Sequence, residues 1–263
     1  MTSDTTASTD RKGSRRKPKK IVKGLSKSIR SLYTTGNVHY RIAAGSSKQA
    51  PVLFVWIPKT AGTSLFAALE SQMGMVQLSR SFSHVKAFKN RGAVTFGHYH
   101  YRSLLSAGIV SQAFHDAAFK FCVVRDPYDR ALSLYHYLRR KKGRSAQTLL
   151  QFLDDVYRIR PPVGLYSYLG LSQANPQVDW LMDDDGGFVV DRIYRFEKLE
   201  EIRDDFRRLF SIPDFDIGHE NRVPRDTSAG EILSSHSEIV PLIEEIYARD
   251  FHLLGYEKRA PAA

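Results

Sequence analysis

The hydrophobic positions of this chain fall into short dense runs separated by polar turns, and the runs alternate between two periods. Val52-Leu53-Phe54-Val55-Trp56-Ile57 is continuously apolar and rich in β-branched and aromatic residues, the signature of a strand buried on both faces. Pro58 stops it, and Ser64-Leu65-Phe66-Ala67-Ala68-Leu69 then repeats at helical spacing. The same unit recurs at Phe119–Val124, which ends at Arg125-Asp126-Pro127. Ala131, Leu132, Leu134, Tyr135 and Leu138 follow at helical spacing, with Pro127 suited to a first turn. Ala93–Phe96 predicts a short third strand and Phe188–Phe196 a fourth. Helices are expected over Leu199–Phe210 and Glu238–Asp250. Strands alternating with helices imply an α/β fold, P-loop-like and three-layered, with a central parallel sheet flanked by helices. In such sheets ligands gather at the carboxyl ends of the strands.

Charge divides the chain in two. The net charge is +11, yet residues 1–50 hold 12 Lys/Arg against 2 Asp/Glu, while residues 51–263 hold 27 against 26. The basic character belongs to the tail, so pI alone does not make the body a nucleic-acid binder. Residues 1–50 are therefore read as a basic, largely disordered tail and edge segment, and residues 51–263 as the functional domain. A polybasic tail is suited to peripheral contact with acidic lipid. The one cysteine, Cys122, lies in an apolar run; it permits no intrachain disulfide and reads as a small buried hydrophobe. No apolar stretch approaches the roughly 20 residues needed to span a bilayer. A cytoplasmic setting is the expectation.

The strongest chemical signal is Ile57-Pro58-Lys59-Thr60-Ala61-Gly62-Thr63-Ser64. A glycine-bearing turn between a buried strand and a helix offers backbone N–H groups and the positive end of the helix dipole to an anion. Lys59 adds a full charge, and Thr60, Thr63 and Ser64 add hydroxyls. The loop is not a Walker A motif, because its lysine precedes the glycine by three positions and no Gly-Lys-Ser/Thr follows. That disfavours, without excluding, a nucleotide-dependent kinase. The second signal is Arg125-Asp126-Pro127-Tyr128-Asp129-Arg130-Ala131-Leu132-Ser133. An arginine at a strand end can grip a phosphate through two N–H donors, and a serine farther on can add a third.

Together these motifs resemble the PAPS-dependent sulfotransferases, particularly the carbohydrate type that includes the heparan sulfate 2-O-sulfotransferases. The resemblance covers roughly residues 51–256. It implies that Lys59, Thr60, Ala61, Gly62, Thr63 and Ser64 cradle the 5′-phosphosulfate of 3′-phosphoadenosine 5′-phosphosulfate (PAPS). Lys59 would assist the bridging oxygen as it leaves, and Arg125 and Ser133 would hold the 3′-phosphate. It also implies transfer of a sulfuryl group to an acceptor hydroxyl, with a carbohydrate favoured and no metal required.

Such a transfer needs a base, and histidine titrates in the right range. Among nine histidines, His98 follows the short third strand in Gly97-His98-Tyr99-His100, which looks like the Gly-His element of the 2-O-sulfotransferase group. By that match His98 is the base, with His100 as runner-up; in an extended segment the two would share a side. Arg130 reads as structural or paired with a helix acid, and Glu197 as a structural strand-end acid. Trp180, in Gln173–Leu181, is either a sugar-stacking ring or core. Arg139–Arg144 reads as a basic helix end or as a docking strip for an acidic acceptor. Asn221 fits the same family's C-terminal half, and Arg222 and Arg225 lie in a loop that could close over a nucleotide. A non-catalytic polyanion-binding protein is the competing reading from outside enzymology.

Overall fold

The computed structural model describes residues 51–142, 148–158, 172–218 and 229–259. The expectations for the 1–50 tail, for Gly143 and Arg144 of the basic run, and for Asn221, Arg222 and Arg225 lie outside the described residues. Five strands form one sheet in the order β2-β3-β1-β4-β5. They are β1 (Val52–Val55), β2 (Val76–Gln77), β3 (Ala93–Thr95), β4 (Phe119–Val124) and β5 (Arg192–Arg195). Every pairing is parallel. The expected α/β architecture with a central parallel sheet is therefore what the chain adopts. Parallel neighbours need crossovers, and the long helices supply them.

Alternation along β1 assigns its two faces. Val52 and Phe54 pack with Leu65, Ala68 and Leu69 of α1 (Gly62–Met73), and with Phe206 and Phe210 of a later helix, Glu200–Phe210. Leu53, Val55 and Ile57 point the other way, into a cluster with Val94, Phe96, Cys122, Val124 and Trp180. Both faces are covered, which explains why β1 and β4 read as apolar runs rather than alternating ones. Lys120 interrupts β4 but is buried; its ammonium donates to the carbonyls of His115 and Ala118 and pairs with Asp191 at 3.1 Å. The helices after α1 are α2 (Phe82–Lys86), α3 (Tyr101–Ser106), α4 (Gln112–Ala117), α5 (Pro127–Lys142), α6 (Leu149–Arg158), α7 (Glu200–Phe210), α8 (Ala229–Ser235), α9 (Ile239–Ile246) and α10 (Ala248–Leu254). Helices α5, α6, α9 and α10 share a third apolar cluster built on Leu132, Leu153, Ile243 and Phe251.

Two sequence expectations change. The predicted strand over Phe188–Phe196 begins only at Arg192, because Phe188 instead pairs antiparallel with Met182 and Val189 N–H donates to Leu181 O. Two short extended pieces thus read as one. The helix expected over Glu238–Asp250 is broken at Tyr247, whose φ of −108° and ψ of 24° leave the helical region. The break lets α9 pack on α5 and α6 while α10 packs on the 3₁₀ turn Gln177–Trp180. One straight helix could not serve both. Among the described residues no helix is long and apolar enough to cross a membrane.

Gly62 opens α1 directly beneath the Trp56 indole, and a Cβ there would overlap the ring. The indole is itself held by stacking on Phe54 at 5.8 Å and Phe66 at 5.6 Å, so it cannot simply swing away. Gly62→Ala is therefore expected to destabilise the chain by about 1–3 kcal/mol, the usual range for overpacking, read as a lower thermal midpoint. An unchanged midpoint would show that Trp56 yields freely.

Candidate functional site

Strand register brings the three motifs together. Phe54 aligns with Thr95 on β3, and Val55 with Cys122 on β4. β1 ends at Val55, β3 at Thr95 and β4 at Val124, and Arg125 directly follows β4, while His98 beyond β3 is tied back to Trp56 O. Adjacent strands lie about 4.8 Å apart. The loops after β3, β1 and β4 consequently leave three neighbouring strands at one level, on the carboxyl side.

The β1 loop is bent by two non-glycine residues in the left-handed region, Lys59 at φ 72° and Ala61 at φ 65°. Such conformations cost on the order of 1–3 kcal/mol each and persist where surroundings enforce them. Between them Thr60 is fully buried, and its Oγ1 donates to Ile57 O at 2.9 Å. The Thr60 hydroxyl thus closes the turn, where the sequence reading had offered it to a ligand. Ala61 occupies the N-cap of α1 and provides no side-chain acceptor. The amino end of α1 therefore has no side-chain cap from that position, which leaves it suited to an anion. Thr63 is exposed, while Ser64 is buried.

Arg125 is 9% exposed at the end of β4. Its Nη2 reaches Asp129 Oδ2 at 3.3 Å, and its guanidinium lies 4.2 Å from the centre of the Phe196 ring. Asp126 caps α5, accepting from the N–H groups of Tyr128 and Asp129. Its own amide donates to Glu197 Oε1 at 2.8 Å, in keeping with a structural role for Glu197. Burial, with Asp129 and Glu197 as like-charged neighbours, holds the Asp126 carboxyl above its ordinary range, against the opposing N-cap hydrogen bonds.

Asp129, Ser133 and Tyr137 follow at four-residue intervals and so share one face of α5. Arg125 meets that face at Asp129, and Lys59 Nζ meets it at Tyr137, 4.2 Å from the ring centre. Eight residues of helix separate the two contacts, about 12 Å at 1.5 Å per residue, with half-buried Ser133 midway. Both cations thus flank a single helix face. Tyr137 carries no motif signal, but its spacing from Ser133 could have shown it.

His98 is exposed, and it is tied to β1. Its Nδ1 donates to Trp56 O at 3.0 Å, which leaves the lone pair on Nε2. The ring sits edge-on to Trp56 at 5.4 Å and to Trp180 at 6.4 Å. Desolvation among these rings lowers its pKa below the ordinary histidine value. The Trp56 carbonyl opposes that shift, while the positive charges of Lys59 and Arg130 add to it. The effect of Lys59 means that base candidate and loop lysine feel each other's charge.

His100 differs. The segment expected to be extended begins with a turn at Gly97, φ 57°, and His98, and the two histidines differ in exposure and in partners. A Cβ at Gly97 would press on Ser79. His100 is buried, its Nδ1 bonded to Ser103 Oγ at 2.9 Å, and it stands at the N-cap position of α3 without a side-chain bond to the helix amides. Trp180 is 1% exposed, so it is core and not an open sugar platform. Arg130, set aside in the sequence reading, is also 1% exposed and donates to Pro58 O and Gln173 O. It is structural as expected, though its hydrogen bonds go to carbonyls rather than to a helix acid.

Fold and site together define an α/β protein in which two polar turns carrying Lys59 and Arg125 and an adjacent histidine leave neighbouring parallel strands. The model of the Sulfotransferase family matches residues 46–158, the stretch that holds all three motifs. The matched stretch runs from β1 through α6. Solved structures that resemble it include a sulfotransferase from Alicyclobacillus acidocaldarius, at 18% identity and TM-score 0.41 over 75% of this chain and 96% of that one. Another is mouse sulfotransferase SULT7A1 complexed with PAP, at 17% and 0.39 over 81% and 69%. No curated protein matches the chain.

His98 should titrate below pH 6.5 when followed by NMR. Lys59→Met should raise that value, because removing a neighbouring cation favours the protonated ring. A wild-type titration at or above 6.5 would contradict this account of the site.

Proposed function

We propose that this sulfotransferase-family chain moves the sulfuryl group of PAPS to an acceptor hydroxyl. The observation that carries the reading is the convergence of three motif loops from neighbouring parallel strands, with Lys59 and Arg125 flanking one face of α5. A bisphosphorylated nucleoside has anionic groups at two ends, and this arrangement has cations at two ends. The β1 loop and the start of α1 would take the 5′-phosphosulfate through Lys59 and the amides of Thr60, Ala61, Gly62, Thr63 and Ser64. Arg125 and Ser133 would take the 3′-phosphate.

In the reaction the acceptor oxygen attacks sulfur and its proton passes to Nε2 of His98. The bond from sulfur to the bridging oxygen breaks, releasing 3′-phosphoadenosine 5′-phosphate (PAP) and leaving a sulfate ester on the acceptor. Charge builds on the departing phosphate, where a fixed ammonium is most effective; Lys59 is the residue for that role. The lowered pKa of His98 keeps the ring neutral, hence able to accept a proton, at neutral pH. A carbohydrate acceptor is the class favoured by the motifs, although the burial of Trp180 removes one ring that would have supported it. A cytoplasmic setting is part of the same proposal and rests on composition.

Calorimetry tests the donor. PAP should bind in clear preference to ATP, and Arg125→Ala should weaken PAP by roughly 10- to 100-fold, as expected on loss of charge-assisted hydrogen bonds. Equal affinity for ATP would sink the reading. His98→Ala should lower kcat by about 10²–10⁴-fold, the usual span for a general base, with PAP affinity unchanged. In the wild type, kcat/KM should rise with pH along a limb below 6.5 and then level off, since only neutral His98 can take the proton. Retained activity in His98→Ala would move the base elsewhere.

A further inference from the structure

Behind the two motif turns lies a group of polar side chains that touches neither expected phosphate. Arg130, Gln177 and Asp250 are 1%, 0% and 0% exposed. Their hydrogen bonds go to backbone of the two turns and of the segment between them. Arg130 Nε donates to Pro58 O at 3.1 Å, immediately before Lys59, and its Nη2 donates to Gln173 O at 2.9 Å. The Gln177 side chain brackets Arg125 from both sides. Its Oε1 accepts the Arg125 N–H at 2.8 Å, and its Nε2 donates to Arg125 O at 2.8 Å.

Asp250 secures the Gln177 half. Its Oδ2 accepts from Gln177 N–H at 2.9 Å and Nε2 at 3.3 Å, and its Oδ1 accepts from Val178 N–H at 3.0 Å. Burial raises the Asp250 pKa, and the nearby Arg130 charge, together with these hydrogen bonds, opposes the rise. Arg130 also lies over the Tyr247 ring at 5.7 Å, and the Tyr247 hydroxyl donates to Ala174 O. Buried charges and amides are costly unless fully partnered. A fully partnered set in this position therefore fixes geometry rather than merely filling space.

We propose that Arg130, Gln177 and Asp250 are positioning residues that set the distance between the Lys59 turn and the Arg125 turn. They would thereby select a ligand carrying two phosphates on one nucleoside. The inference rests on the donor reading above and deepens it. Sheet pairing fixes where β1 and β4 end, but the first residues beyond each strand have no ladder to hold them. Arg130 holds one turn through a carbonyl and Gln177 holds the other through both backbone groups. Asp250 of α10 secures Gln177 at the 3₁₀ turn. Two anchors on a rigid spacer bind a two-headed ligand far better than either head alone, and loosening the spacer forfeits the gain.

The test compares PAP with 5′-AMP and 3′-AMP by calorimetry in the wild type, Arg130→Lys and Gln177→Met. Circular dichroism establishes that each variant is folded. Arg130→Lys keeps the charge beside Asp250 but loses the fork that reaches two carbonyls. Gln177→Met keeps volume and loses both bonds to Arg125. PAP affinity should fall about tenfold in each variant, the scale expected of a small misplacement, while each monophosphate changes by less than about threefold. A parallel loss for all three ligands, or no loss for PAP, overturns the proposal.

Amide hydrogen exchange gives a readout that needs no ligand. The Arg125 amide of the wild type should be protected to nearly the level of β4, and Gln177→Met should release it. Exchange at the rate of an open loop in the wild type would also overturn the proposal. If the wild type failed to prefer PAP over ATP, the donor reading would fall, and exchange would still judge the bracket by itself.

Discussion

Parallel pairing of β1 with β3 on one side and β4 on the other is the constraint from which the site follows. Parallel ladders put the carboxyl ends of neighbouring strands at one edge of the sheet, so loops that are far apart in sequence emerge side by side. Here those loops begin near residues 56, 96 and 125. Antiparallel pairing of any one strand would send its motif to the opposite edge, three to six residues of strand away. The apolar side chains that enforce the pairing, Phe54 and Phe121 above all, stack 5.2 Å apart. Each such buried ring is worth about 1.5–3 kcal/mol of transfer energy. Core packing and site assembly are therefore one event in this chain.

Local backbone shape adds what the ladder cannot. Lys59 and Ala61 in the left-handed region, and Gly97 on the other flank, turn the chain at the strand ends. The strain at Lys59 and Ala61 is held in place by the Thr60 hydroxyl on Ile57 O and by Arg130 on Pro58 O. Two histidines close in sequence meet different surroundings beyond β3. His98 is exposed and bonded through Nδ1 to Trp56 O, whereas His100 is buried and bonded through Nδ1 to Ser103 Oγ.

Cations and acids meet at the open edge, and what each touches sets its effect. Lys59 and Arg130 both act on His98, lowering its proton affinity after desolvation has already done so. Arg125 is steadied by Asp129 and by the Phe196 ring. A guanidinium held this way loses little freedom on meeting a phosphate. The acids nearby are committed elsewhere: Asp126 to the cap of α5, and Glu197 to the amide of Asp126 and the hydroxyl of Tyr256.

By itself the sequence determined the α/β class, because doubly buried strands show as apolar runs and helices as a 3.6-residue period, and both signals are local. It also nominated the two motif turns and the Gly-His step, since each motif is contiguous and its chemistry is carried by residue type. Lys59, Arg125, Ser133 and His98 were candidates for that reason. Only the tertiary structure decided that Thr60 turns its hydroxyl inward, that Trp180 is core, and that His98 and His100 part company. Those outcomes depend on φ values and on neighbours from other strands. Arg130, Gln177 and Asp250 were least legible of all. Their partners lie 72, 52 and 73 residues away along the chain, and a buried polar side chain reveals its purpose only when the backbone group that satisfies it is brought alongside.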